Sequence, residues 1–296
     1  MIRKTCLIVS VIKKNISYNI VLIFSVSLIL ISCNLVEPPT PLPEYESIDE
    51  APSWSHDGNW ITYHHFNYSP DDASYPTGLY IIDTSGNNRK LILAGPAYNS
   101  AWSPNDSIIA FDLGNIFTLH IYTGELNQLT FGEGQHFPQW SSDGKNIAFS
   151  DGINTPPDTA GIWIINTETF GMKYLWPGLA PDWSPDNSSL VYESFEGITI
   201  GKIEGNIFKT ILPSKGGVRY PRWSPNGSTI AYTINNAIWL MNTNGGDQQE
   251  LIKNSFFPSW SPDSKKITFQ KQNAEKNKLV IWIINVDGSG LKQITH

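Results

Sequence analysis

One segment, Phe257-Pro258-Ser259-Trp260-Ser261-Pro262-Asp263 followed by Ile267-Thr268-Phe269, constrains the fold more than any other feature because close copies of it run through the chain. The others centre on Trp54, Trp102, Trp140, Trp183 and Trp223, each followed by Ser. Successive tryptophans stand 48, 38, 43, 40 and 37 residues apart. A period near 40–45 residues is that of a four-stranded propeller blade. A repeat filling most of 296 residues leaves no room for a second ordinary domain.

Each copy reads as four strands. Pro-x-Trp-Ser supplies the first, and Ser-Pro-Asp-Gly or its variants supply a turn, proline setting φ while Asp, Asn and Gly tolerate left-handed backbone. An Ile-Ala-Phe-like second strand follows, as at Ile147-Ala148-Phe149. The third is a continuous apolar run such as Ile162-Trp163-Ile164-Ile165-Asn166, which implies burial on both faces between neighbouring sheets. Blade 4 has the weakest third strand, Ile198-Thr199-Ile200-Gly201-Lys202. The fourth is seen in Leu126-Asn127-Gln128-Leu129-Thr130 and Leu291-Lys292-Gln293-Ile294-Thr295. The expectation is an all-β chain, a six-bladed β-propeller of four-stranded antiparallel blades over residues 51–296. Blade 2 departs with Ala101 and Asn105-Asp106, and blade 3 with Ser142 in place of the turn proline.

Pro-x-Trp-Ser-Pro-Asp-Gly, Ile-Ala-Phe, Ile-Trp-Ile-Ile-Asn-x-Asp-Gly and Gln-Ile-Thr together resemble the repeats of TolB-type propellers. They are also similar to the propeller domains of the dipeptidyl peptidase IV and prolyl oligopeptidase families. The resemblance covers about residues 50–296 and implies the fold more than an activity, because propellers host many functions.

Residues 1–32 read as a lipoprotein signal peptide: a basic n-region, a 12-residue apolar core at 20–31, and Leu30-Ile31-Ser32-Cys33, which resembles the bacterial lipobox. That resemblance implies lipidation at Cys33 and attachment to a membrane of the bacterial cell envelope. By resemblance to other lipoproteins, the absence of Asp directly after Cys33 implies the outer rather than the inner membrane. Residues 33–50, rich in proline and acid, form a tether. With Cys6 in the signal, no intrachain disulfide is expected in the mature chain. Four of the 20 basic residues fall in the acid-free signal, so the remainder carries 16 against 27 acids and is expected to repel nucleic acid. A monomer is expected.

No Gly-x-Ser-x-Gly, His-Glu-x-x-His, paired-cysteine zinc motif or P-loop is present. No cofactor and no metal site is expected from linear motifs, and the Asp-Gly pairs are turns. His56 and His120 occupy turn positions, whereas His64, His65 and His136 are expected in loops on one rim. The six Trp-Ser tryptophans are expected to be structural and equivalent, each costing about 3–5 kcal/mol when truncated to Ala.

The sequence therefore points away from catalysis and toward a propeller scaffold that binds a protein, peptide or glycan partner. An alternative is an envelope enzyme of polysaccharide lyase or hydrolase type, its site gathered from several blades. Strand order places the uniform Ser-Pro-Asp-Gly turns on one face and the long, varied loops on the other. His65, Tyr68, Asp72, Tyr75, His136, Arg219 and Tyr220 are the residues expected to border a partner site on the varied face.

Overall fold

The computed structural model describes residues 47–68, 75–152, 160–214, 217–273 and 278–296. Among these there is no helix; twenty-four strands follow one another as six antiparallel four-stranded blades. In blade 1 the strands are Ser47–Trp54, Trp60–Asn67, Gly78–Asp83 and Lys90–Ala94, running from the axis outward. The innermost strands of blades 2 to 6 are Tyr98–Trp102, Gln135–Trp140, Leu179–Trp183, Val218–Trp223 and Ser255–Trp260. Each innermost strand touches the next around the circle, and Ser255–Trp260 touches Ser47–Trp54, closing the ring. A parallel pairing of Ile48 with Leu279 also joins the first and sixth blades into one continuous sheet.

The Trp-Ser-x-Asp turn is a repeated hydrogen-bonded clasp. In all six copies the serine Oγ donates to the Asp or Asn two residues on, at 2.6–2.8 Å, and accepts the backbone N–H five residues on, at 2.9–3.0 Å. A buried hydroxyl is thereby satisfied, which is why serine follows every one of these tryptophans. The Ser hydroxyl and a backbone N–H also hold the carboxyls of Asp143, Asp186 and Asp263 below their ordinary range.

The blades associate in pairs. In blades 2, 4 and 6 the left-handed turn residue is Asp106, Asn187 or Ser264, where blades 1, 3 and 5 have Gly58, Gly144 and Gly227. Each of the three side chains accepts a backbone N–H from the preceding odd blade: from His56 and Asp57, from Ser142, and from Asn226. The same pairs are tied by indole N–H groups, Trp102 to Ser53 O, Trp183 to Gln139 O and Trp260 to Arg222 O, at 3.0–3.2 Å. Across the seam between pairs a turn proline packs on glycine; a Cβ at Gly58, already at φ 76°, would come 3.3 Å from Pro262 Cγ. The apparent departures of blades 2 and 3 from Ser-Pro-Asp-Gly thus build these inter-blade links.

The pairing makes the six tryptophans inequivalent. Trp54, Trp102, Trp183 and Trp260 are buried, whereas Trp140 and Trp223 are half-buried; Trp223 turns its N–H to Gly227 O in its own turn. In blade 4 the weak third strand pairs along its whole length with the second. Its Gly201 is there because the indole of Trp176, from blade 3, occupies the space: a Cβ would meet Trp176 Cζ2 at 2.7 Å.

Candidate functional site

The innermost strands share one more device. Each shifts register by a bulge, and in each the residue three before the Trp-Ser tryptophan is left-handed: Ala51, Asn99, Phe137, Ala180, Tyr220 and Phe257, with φ 48–58°. Such a φ is uncommon for residues as bulky as Phe and Tyr. It turns their side chains toward the axis. The rings of Tyr220 and Phe257 stack at 4.2 Å, and Phe137 reaches Tyr220 at 5.7 Å from two blades away, past the small Ala180. The three aromatics form a plug at the long-loop end.

Polar side chains at the ends of second strands hold part of this ring. Asp112 of blade 2 accepts Phe137 N–H at 3.2 Å and Asn99 Nδ2 at 2.8 Å, and pairs with His136 Nδ1 at 2.8 Å. Ser150 Oγ accepts Ala180 N–H at 2.9 Å. Glu193 accepts Tyr220 N–H at 2.7 Å and Arg219 Nη1 at 3.1 Å. Burial raises the Glu193 carboxyl above its ordinary range, although the Tyr220 N–H and Arg219 work against the shift; burial likewise pushes the Tyr220 phenol up to about 12. At the equivalent positions of blades 5, 6 and 1, Thr233 Oγ1, Gln270 Oε1 and both ring nitrogens of His64 are buried without a hydrogen bond. His64 packs at 4.6 Å on the Tyr98 ring, with Nδ1 3.4 Å from Glu50.

Of the residues expected to border a partner site, His65 and His64 lie on a strand, not in a loop, because pairing with Asp49 and Glu50 extends the second strand of blade 1 to Asn67. His65 is buried, with Nδ1 2.6 Å from Asp49, itself 3.8 Å from Arg89. The Arg89 guanidinium lies over the rings of Tyr75, Tyr80 and Tyr63 at 3.9, 4.6 and 5.4 Å. His136 is also on a strand and paired. Tyr68, Tyr75 and Arg219 are exposed, Tyr220 belongs to the plug, and Asp72 lies outside the described residues, as does Cys33.

On the other side of the plug an axial cavity of about 360 Å³ runs between the innermost strands toward the Ser-Pro-Asp-Gly turns. The residue between Pro and Trp in each repeat faces it: Ser53, Ala101, Gln139, Asp182, Arg222 and Ser259. One wall, from blades 3, 4 and 5, therefore carries an amide, a carboxylate and a guanidinium. The opposite wall is small. Asp182 Oδ2 accepts Trp223 N–H at 2.6 Å, and Arg222 Nη1 donates to Pro221 O at 3.0 Å. Both side chains are half-buried and line the cavity, whose lining includes residues of the Ser-Pro-Asp-Gly turns. Burial raises the Asp182 carboxyl to about 6 despite Arg222 and the Trp223 N–H, and burial lowers Arg222.

A carboxyl that binds its proton more tightly folded than unfolded supports the fold at low pH and loses that support as pH climbs from its ordinary 3.8 through about 6. Raising pH from about 4 to about 7 should therefore lower the melting temperature of the wild type more than that of Asp182→Asn. Parallel curves would overturn the assignment.

The cavity charges were not singled out from the sequence. The signal was present: among the six residues between Pro and Trp, or their blade 2 counterpart, only Asp182 and Arg222 are charged. Among the described residues no three His, Cys, Asp or Glu side chains are grouped as a metal ion would need.

Comparison with known proteins agrees with this architecture. Residues 192–256 match the family described as Dipeptidyl peptidase IV (DPP IV) N-terminal region. The chain is 33% identical over 109 residues to an uncharacterized peptidase of Bacillus subtilis (strain 168), YuxL, a match covering 33% of this chain and 17% of that protein. Among solved structures, TolB from Acinetobacter baumannii superposes with a TM-score of 0.64 at 20% identity, covering 82% of this chain and 62% of TolB. An oligogalacturonate lyase in complex with manganese gives 0.56 at 13% identity, covering 86% and 80%. The chain is thus a propeller of TolB-like fold. It spans less than a fifth of the length of the peptidase relative and about three-fifths of the Acinetobacter TolB.

Proposed function

We propose that the chain is a lipid-anchored scaffold of the bacterial cell envelope whose long-loop face binds a partner protein. The observation that carries this reading is the composition of that face. Tyr68, Tyr75, Leu113, Phe131 and Phe195 are exposed large hydrophobics on second-to-third-strand connections or inter-blade links at the plug end, and exposed Leu179 opens the innermost strand of blade 4 there; the other exposed large hydrophobics among the described residues lie on third-to-fourth turns or outermost strands. Phe195 at a turn tip is fully exposed and Phe131 is 83% exposed. Four aromatic side chains standing out from the connecting loops of that face, with Arg219 among them, have the make-up of a protein-binding surface. His65, His136 and Tyr220 support its floor, while Tyr68, Tyr75 and Arg219 present side chains to the partner. Asp72 belongs to the same proposed border. The rigid ring keeps these loops in fixed relation, and a lipid on Cys33 followed by the proline-rich stretch would hold the face near a membrane.

Two comparisons test it. Wild type and Cys33→Ala are labelled with a fatty acid and fractionated; label and membrane association are expected only for the wild type. A soluble 43–296 fragment and its Phe195→Ser/Tyr75→Ser variant are then used to capture proteins from envelope extracts, with melting curves to confirm folding. One species retained by the first and lost by the second is expected. Equal labelling removes the anchor, and equal capture removes the face.

A further inference from the structure

The axial cavity is a second site, on the other side of the plug and independent of the proposed partner face, and we propose that it binds a small zwitterion, an amino acid or short peptide with both termini free. Its carboxylate meets Arg222 and its ammonium meets Asp182.

The argument starts from what these two side chains lack. Among the described residues no carboxylate comes within 4.0 Å of the Arg222 guanidinium, whose one hydrogen bond goes to Pro221 O. That bond is made by Nη1, and Arg222 lines the cavity. Asp182 gives Oδ2 to Trp223 N–H, the Trp183 N–H also steadies its carboxylate, and among the described residues no cationic side chain is bonded to it although it lines the cavity. The Arg222 guanidinium feels the Asp182 and Glu193 carboxylates without an ion pair to either, and Asp182 feels Arg222 the same way, so both charges lining the cavity lack a direct ionic partner. A ligand with one negative and one positive end satisfies both and leaves the cavity neutral, whereas an anion or a cation alone would add an uncompensated charge. The planar guanidinium suits a carboxylate, to which it can donate two parallel hydrogen bonds.

The remaining walls fit the same ligand. Gln139, on the blade beside Asp182, offers an amide that can donate or accept. Ser53, Ala101 and Ser259 leave the volume open opposite the charges, and Pro52, Pro258 and the tryptophans give apolar surface for a side chain. A cavity of about 360 Å³ falls at the small end of ligand sites. Backbone hydrogen bonding preorganises the charged wall: Arg222 O receives the Trp260 indole and Gln139 O the Trp183 indole, so neither strand must move to admit a ligand.

Because six tryptophans line the cavity, intrinsic fluorescence reports its occupancy. The probes are free alanine, dialanine, N-acetyl-dialanine and dialanine amide, titrated into the full chain in detergent at neutral pH and checked by calorimetry. Saturable binding by alanine or dialanine is expected, their ratio saying whether the site takes the free amino acid or the peptide. Capping either end of dialanine should weaken its binding roughly tenfold or more. Arg222→Lys, which keeps the charge but loses the fork, and Asp182→Asn should do the same. Should either variant fail to fold, Ser53→Phe fills the cavity from the opposite wall without removing a side-chain hydrogen bond, and is expected to abolish binding. No saturable signal at millimolar probe, or capped and uncapped peptides binding alike, overturns the proposal.

Discussion

Trp102→Ala is expected to lower the free energy of unfolding by about 3–5 kcal/mol, and Trp223→Ala by less than half as much. Trp102 is 3% exposed and packs with Leu79, Ile81, Ile109, Phe111 and Leu119 across the boundary of blades 1 and 2. Truncation there leaves a cavity that two sheets would have to shift to fill. It also removes the indole N–H that Ser53 O accepts, one of the links within a blade pair. Trp223 is half-buried and spends its N–H on Gly227 of its own turn, so its loss frees surface already partly wet and unties nothing in a neighbouring blade. For a domain of this size each kcal/mol moves the melting temperature by roughly 2–4 °C, so thermal melts should separate the two variants by several degrees. Equal melting temperatures would mean that the repeat, and not the pairing of blades, sets the worth of each tryptophan.

The same contrast marks where sequence reading stops. Blade number and strand order were legible because the Trp-Ser-x-Asp clasp and the Ile-Ala-Phe strand do the same local job six times and need the same residues each time. Asn105-Asp106 reads only as a departure within a turn, and Asn187 and Ser264 are not singled out at all, since each can adopt positive φ. Their bonds to the neighbouring turn span 38–50 residues, and no local pattern reports a contact at that range. The left-handed ring was invisible for another reason. Ala51, Phe137, Ala180, Tyr220 and Phe257 precede proline, which biases a residue toward extended backbone, and it is the bulge that overrides that bias. His64 and His65 were assigned to a loop because the repeat ends its second strand at Tyr63; Asp49 and Glu50 extend the pairing over them. The axial charges needed a register. Only once the residue between Pro and Trp is known to face the axis do Asp182 and Arg222 stand out from the other charged side chains.

Asp112→Ala is expected to cost about 3–5 kcal/mol, comparable to loss of a core tryptophan although no large side chain is removed. Asp112 is 1% exposed, and its two oxygens serve three donors on two blades: Asn99 Nδ2, Phe137 N–H and the His136 ring. Each donor would be left without its acceptor in a buried place. One of them anchors the left-handed Phe137, so the plug should loosen as well, and Phe137 is the ring that reaches across the axis to Tyr220. Asp112→Asn keeps one acceptor oxygen for Asn99 and Phe137 and presents an amide N–H to His136, whose Nδ1 can accept in the other tautomer; about 1–2 kcal/mol is expected. The gap between the two variants measures the hydrogen bonds and not the volume. Its consequence reaches the proposed partner face, because His136 spends a ring nitrogen on Asp112 and can offer a partner only what remains. His136→Ala should therefore destabilise the fold, and capture by a folded His136→Ala chain should fall less than capture by Phe195→Ser. If Asp112→Ala melts with the wild type, the carboxylate does not hold the ring, and His136 becomes free to act in binding.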